Sequence, residues 1–199
     1  TVVLFLSDNG PWLPYGVDAG SAGPLRAGKG TAYEGGIRVP AIFRAPGRIP
    51  ANTTCREFAS TLDLYATLSE FAAIPLPQGR AEDSLSLAPL LTGRSRQPVR
   101  QTFYIYDGSV SYRPETGRPV PTRILRAVRH GRWKLHLSEL PAGGYQPSAL
   151  YDLYTDVAES RDVLAQNAPL ARKLLEDALA FDAATARGVR PLGRLEGTP

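Results

Sequence analysis

Sulfur and imidazole are scarce in this sequence. Its 199 residues hold one cysteine, Cys55, no methionine, and two histidines, His130 and His136. A single thiol excludes an internal disulfide and any cysteine-cluster metal site, and within T-T-C-R-E-F it reads as a free structural cysteine. Long apolar runs are absent as well: none approaches membrane-spanning length, and no basic-then-apolar signal segment opens the chain. Charge is nearly balanced. Lys+Arg 23 against Asp+Glu 19 gives +4, with no basic stripe interleaved with aromatics, so nucleic acid is not an expected partner. The small excess suits an anionic substrate or a solvated surface. Lacking methionine and starting inside an apolar run, the chain is expected to be a fragment whose neighbouring strands precede Thr1.

What is present is globular in composition, 43% hydrophobic, enough to bury a core as one large domain or a domain with a small appendage. The most informative stretch is the first, TVVLFLSDNG. Val2, Val3, Leu4, Phe5 and Leu6 run without polar alternation, the pattern of a strand covered on both faces. Ligand crevices in open α/β sheets lie beyond the carboxyl ends of strands, where Ser7, Asp8 and Asn9 follow and Gly10-Pro11 turns the chain away. A carboxylate beside an amide carbonyl suits a hard cation, Ca²⁺ or Mg²⁺, better than zinc. The plain alternative is an Asx turn ending the strand.

Residues 11–30 are rich in Gly, Pro and Ala and read as a long loop. Within it Lys29 stands between Gly28 and Gly30, which permit close backbone approach, so its ammonium is a candidate for an anion near Asp8; the alternative is a solvated loop lysine. Glu34 and Arg38 are expected to pair with each other, and 37–43 resumes a strand-like pattern interrupted at Pro40.

The remainder reads as scaffold. Ser60 caps a helix with Asp63 at its third position, and Leu62, Tyr65, Leu68 and Ala72 form a stripe expected to be core, ended by Pro75. Residues 75–93 link this helix to a boundary at 93–98, where Arg94, Arg96 and Arg100 read as a solvated rim. Strand candidates at 103–106, 124–128, 133–137 and 150–154 predict a small antiparallel sheet, with 124–137 as its best hairpin. His130 falls at that hairpin's turn and His136 on one side of an alternating strand, both structural rather than catalytic. Residues 110–122, with three prolines, read as a poorly specified loop. Asn167 caps a last helix, Pro169 takes its first turn, and Leu170, Leu174, Ala178 and Phe181 share an apolar face. The expected units are 1–93, 98–187 and a loose tail, 188–199. Asn52-Thr53-Thr54 matches a glycosylation acceptor too short to carry weight.

SDNG followed by GPLRAGKGTAYEGGIRVPAIFRAPGRI resembles the second half of the type I, formylglycine-dependent sulfatases of the alkaline-phosphatase-like superfamily, nearest the arylsulfatase A kind. The similarity continues in order through STLDLYATLSEFA, SLSLAPLLTG, RAVRHGRWKLHL and LYDLYTDVAESRDVL. The resemblance implies an α/β fold: the C-terminal part of an alkaline-phosphatase-like sandwich, then a small antiparallel sheet with a C-terminal helix. It places Asp8 and Asn9 on the family's second pair of calcium ligands and Lys29 on the lysine that contacts sulfate. It also implies a sulfate ester, small or on a glycan or lipid, as substrate, and a periplasmic, secreted or lysosomal setting. The loop at 110–122 falls where related sulfatases complete the substrate pocket, and this resemblance makes Tyr112 and Arg113 candidates for touching substrate. Phosphodiesterase and phosphonate-hydrolase relatives typically present D-H where this chain has D-N, so sulfate chemistry is favoured over phosphate.

The family's nucleophile is a formylglycine made from a C-x-P-S-R or S-x-P-S-R motif, which this sequence does not contain; Cys55 lacks the motif's proline. Formylglycine and the remaining ligands are therefore expected in an N-terminal part, and no turnover is expected from this chain alone. Three readings follow: part of a calcium-dependent sulfatase, a non-catalytic truncated scaffold, or a polyanion-binding module.

Overall fold

The computed structural model describes residues 1–77, 83–107, 110–112, 119–121 and 124–188. The strongest local signal, the hairpin, organises the largest layer. β1 spans Val3–Leu6, α1 Glu34–Ile37, β2 Ala41–Arg44, α2 Leu64–Ala72 and α3 Ala88–Leu91. β3 (Thr102–Asp107), β4 (Val110–Tyr112), β5 (Pro119–Pro121), β6 (Ile124–His130), β7 (Trp133–Glu139) and β8 (Tyr145–Asp152) follow, and α4 (Ala168–Arg187) ends the series. A four-stranded antiparallel sheet has the order β3-β6-β7-β8. In its hairpin His130 pairs with Trp133 and Ala127 with His136, as the alternation predicts.

Alternation gives this sheet two unlike faces. Leu125, Val128, Leu135, Leu137 and Leu150 pack with Ala171, Leu174 and Ala178 of α4 to form the core. At the far end of α4, Phe181 stacks on Tyr104 with ring centroids 3.8 Å apart. Pro169 lies in the first turn as expected, but the Asn167 side chain makes no cap bond; its amide donates to the Val163 carbonyl at 2.9 Å. Lys134 and His136 alternate onto the opposite face of β7, and both are buried.

Several expectations need correction. β1 forms, but it pairs antiparallel with β2 as a two-stranded ribbon rather than lying covered on both faces. Val3, Phe5 and Ile42 are 49%, 63% and 60% exposed, because no second layer reaches the ribbon among the described residues. The α2 stripe is likewise not core: Leu62, Tyr65 and Leu68 are exposed, and the helix buries Ala66 and Thr67 instead. Arg100 is not solvated rim. Its guanidinium donates at 2.6 Å to Asp63, which is wholly buried. Asp63 also completes a capping box with Ser60 and accepts from the Leu85 N–H at 3.0 Å, so one carboxylate joins α2 to the segment after it.

Residues 110–122 are not all loop, since β4 and β5 pair antiparallel. Tyr112 lies in β4, whereas Arg113 and residues 189–199 of the expected tail lie outside the described residues.

Candidate active site

β1 ends at Leu6, and the chain turns through Ser7, Asp8 and Asn9. The Ser7 hydroxyl donates to the Asn9 carbonyl at 2.8 Å, fixing the turn from within. Asp8 is exposed and Asn9 half-buried. Two backbone hydrogen bonds then draw the long loop against this turn: Gly10 N–H to the Gly36 carbonyl at 3.0 Å, and Lys29 N–H to the Pro11 carbonyl at 2.9 Å. Such approach needs residues without a Cβ. A methyl at Gly10 would overlap the Gly35 carbonyl, and one at Gly28 would overlap the Pro11 carbonyl. The structure thus brings Lys29, 20 residues further along the chain, beside the Asp8–Asn9 turn, with its side chain exposed.

The loop's other side rests on the polar face of β7. Glu34, at the start of α1, is 1% exposed. Its pairing with Arg38 is present at 3.8 Å but is the loosest of its contacts, for Lys134 Nζ lies 3.0 Å away and Arg129 Nη1 3.3 Å away. Lys134 is wholly buried and also meets Glu159 at 3.1 Å. Glu159 in turn accepts from the Glu34 N–H at 2.6 Å and bonds His136 Nε2 at 2.8 Å. Burial alone would raise the Glu159 pKa, but the His136 bond, the Lys134 charge and the Glu34 N–H together hold it below the usual carboxylate value. Burial pulls the Arg129 guanidinium the other way, lowering its pKa against the Glu34 charge. His136 also lies 4.6 Å from the Tyr33 ring, a packing role consistent with its structural reading. His130 Nδ1 meets the Thr102 hydroxyl at 2.8 Å, a strand-to-strand contact between β6 and β3.

Sequence reasoning missed Lys134, Glu159 and Arg129. The signal within reach was parity: Lys134 and His136 share the face opposite Trp133, Leu135 and Leu137. Alternation identifies such a face as polar without saying whether water or another segment covers it.

Asp8 and Asn9 offer two oxygen donors at an accessible turn, a chemistry that fits part of the six to eight oxygens calcium takes. Among the described residues no group of three or more His, Cys, Asp or Glu could hold a metal ion. Cys55 is free and exposed. No described helix is long and apolar enough to cross a membrane.

The sulfatase family model matches residues 1–74. Human arylsulfatase A is 36% identical over 195 residues, covering 88% of this chain and 36% of that protein. Dog N-acetylgalactosamine-6-sulfatase is 38% identical over 137 residues, covering 68% of this chain and 23% of its own. A solved structure from a Bacteroides thetaiotaomicron locus for glycosaminoglycan metabolism superposes with a TM-score of 0.69 at 27% identity, covering 92% of this chain and 39% of that one. The chain therefore spans between about a quarter and two fifths of the relatives named. Motif order, fold and relatives agree: the chain belongs to the sulfatase family, with the alkaline-phosphatase-like fold.

Proposed function

We propose that Asp8, Asn9 and Lys29 form one side of the active site of a sulfuric ester hydrolase, acting on the sulfate esters of arenes or glycans. The observation that supports this most is the Lys29 N–H bond to the Pro11 carbonyl, 2.9 Å, which holds the lysine's backbone against the chain two residues past Asn9. Asp8 and Asn9 would hold a calcium ion, which supplies positive charge to polarise the sulfuryl oxygens. Lys29 binds the oxygens of the singly charged sulfate ester and offsets charge growing on the leaving oxygen. The attacking group is supplied from outside this sequence, which has no C-x-P-S-R. Arylsulfatase and N-acetylgalactosamine-6-sulfatase, the names of similar proteins, are the basis for naming aryl and amino-sugar sulfates as the substrate class.

The test uses the intact protein that carries this chain, with p-nitrophenyl sulfate. Asp8→Ala is expected to abolish both turnover and calcium uptake, and Lys29→Ala to lower kcat/KM by about 10²- to 10³-fold while calcium uptake persists. Full activity in Asp8→Ala after calcium chelation would falsify the assignment.

A further inference from the structure

The loop that carries Lys29 is closed at its neck by the Gly35 N–H bond to the Arg26 carbonyl, 2.8 Å. Both sides of that neck run to a single residue. The Glu159 carbonyl accepts from Arg26 Nη1 at 2.7 Å, and the Glu159 carboxylate accepts from the Glu34 N–H at 2.6 Å. Glu159 is wholly buried and sits at a left-handed φ of 50°, unusual for a residue with a Cβ. Lys134 and His136 bond its other oxygen at 3.1 and 2.8 Å, so the carboxylate has no freedom to swing. Arg26 is tied further by the Tyr151 hydroxyl at 3.2 Å and by its guanidinium lying 4.2 Å over the Tyr33 ring.

A lysine on a flexible four-carbon stem between two glycines has little order of its own, so its aim has to come from the backbone beneath it. We infer that Glu159 and Arg26 are positioning residues for Lys29: together they lock both ends of its loop, giving the ammonium a fixed base beside the carboxyl end of β1. This rests on reading Lys29 as the sulfate-binding lysine. Neither residue touches the anion; both act through the loop.

The experiment is a double-variant cycle in the intact protein, with inorganic sulfate as the probe and its affinity read by calorimetry. Arg26 is exposed, so Arg26→Ala loosens the neck without stranding a buried charge. Lys29→Ala and Arg26→Ala are each expected to weaken sulfate binding about tenfold or more. The double variant binds no more weakly than Lys29→Ala, because Arg26 has no route to the anion except Lys29. Arg26→Lys, which keeps one donor for the Glu159 carbonyl, recovers part of the loss. Glu159→Gln reproduces the same pattern. In both Arg26→Ala and Glu159→Gln, amide exchange at Lys29 and Gly35 accelerates about tenfold while Val128 and Leu135 keep their protection. Additive losses overturn the positioning role, as does unchanged affinity or unchanged loop exchange in Arg26→Ala when Lys29→Ala is impaired. If Lys29→Ala itself leaves sulfate affinity intact, the sulfate-site reading fails and this inference falls with it.

Discussion

Lys134 shows how far a single side chain can depart from its usual place. Lysine is rarely buried unpaired, and here an ammonium with no exposure lies 3.0 Å from Glu34 and 3.1 Å from Glu159. With Arg129 beside Glu34, two cations face two carboxylates, so removing one member leaves a buried charge uncompensated. Lys134→Met is expected to destabilise the fold by about 3–5 kcal/mol, measured as a lower urea midpoint. The depressed Glu159 pKa has a stated sign. Its contribution is present above the ordinary carboxylate value of 4.5 and is lost as pH falls from there through the lower folded value. Glu159→Gln should therefore flatten the acid limb of a urea-midpoint profile below pH 4.5; an unchanged limb would mean that other carboxylates carry it. The glycines act at the same scale. Gly28→Ala would push its methyl into the Pro11 carbonyl, and is expected to separate Lys29 from the Asp8 turn, read as loss of protection at the Lys29 amide.

Among the elements, the ones whose apolar pattern is met by a partner form as the sequence predicts. Ser60 and Asp63 make the capping box legible in S-T-L-D, and Ser60→Ala should cost about 1 kcal/mol of thermal stability. In α4 the face led by Leu174 is buried to 3% exposure, so Leu174→Ala should cost about 2–5 kcal/mol, seen as a lowered Tm. The α2 stripe had the same 3.6-residue period and is nonetheless exposed, because periodicity marks a face that prefers burial without naming what buries it. β1 is a related case. Its unbroken apolar run fits a doubly covered strand, yet among the described residues it pairs with β2 and no layer covers the ribbon, since a run of apolar residues marks faces that prefer burial without supplying the cover.

At the scale of the whole molecule, the antiparallel sheet has one face on α4 and the other on the loop from Arg26 to Arg38, so the Lys29 loop and the sheet are joined by buried charge rather than by an apolar seam. Elsewhere large apolar side chains stay open, among them Phe5 at 63%, Ile42 at 60%, Tyr15 at 61% and Ile74 at 62%. Phe5 and Ile42 are paired across the β1–β2 ribbon, and contiguous exposed apolar surface marks places that associate. The 199-residue chain by itself is expected to bind a hydrophobic dye and to self-associate in light scattering, with Phe5→Glu reducing both; a monomer without dye binding would show the apolar surface to be too scattered to act as a patch.

The sequence by itself determined the family resemblance, the hairpin, the last helix, the cap at Ser60, and Asp8, Asn9 and Lys29 as the residues on which to look for sulfate chemistry, because the elements rest on local spacing and residue type and the three residues on the motifs that carry the resemblance. Only the tertiary structure decided that Glu34 binds Lys134 and Arg129 more closely than Arg38, that Arg100 serves a buried Asp63, and that Glu159 grips the Lys29 loop. These pairings join residues 37 to 133 positions apart, and a charge in a sequence carries no mark of the distant charge that will neutralise it.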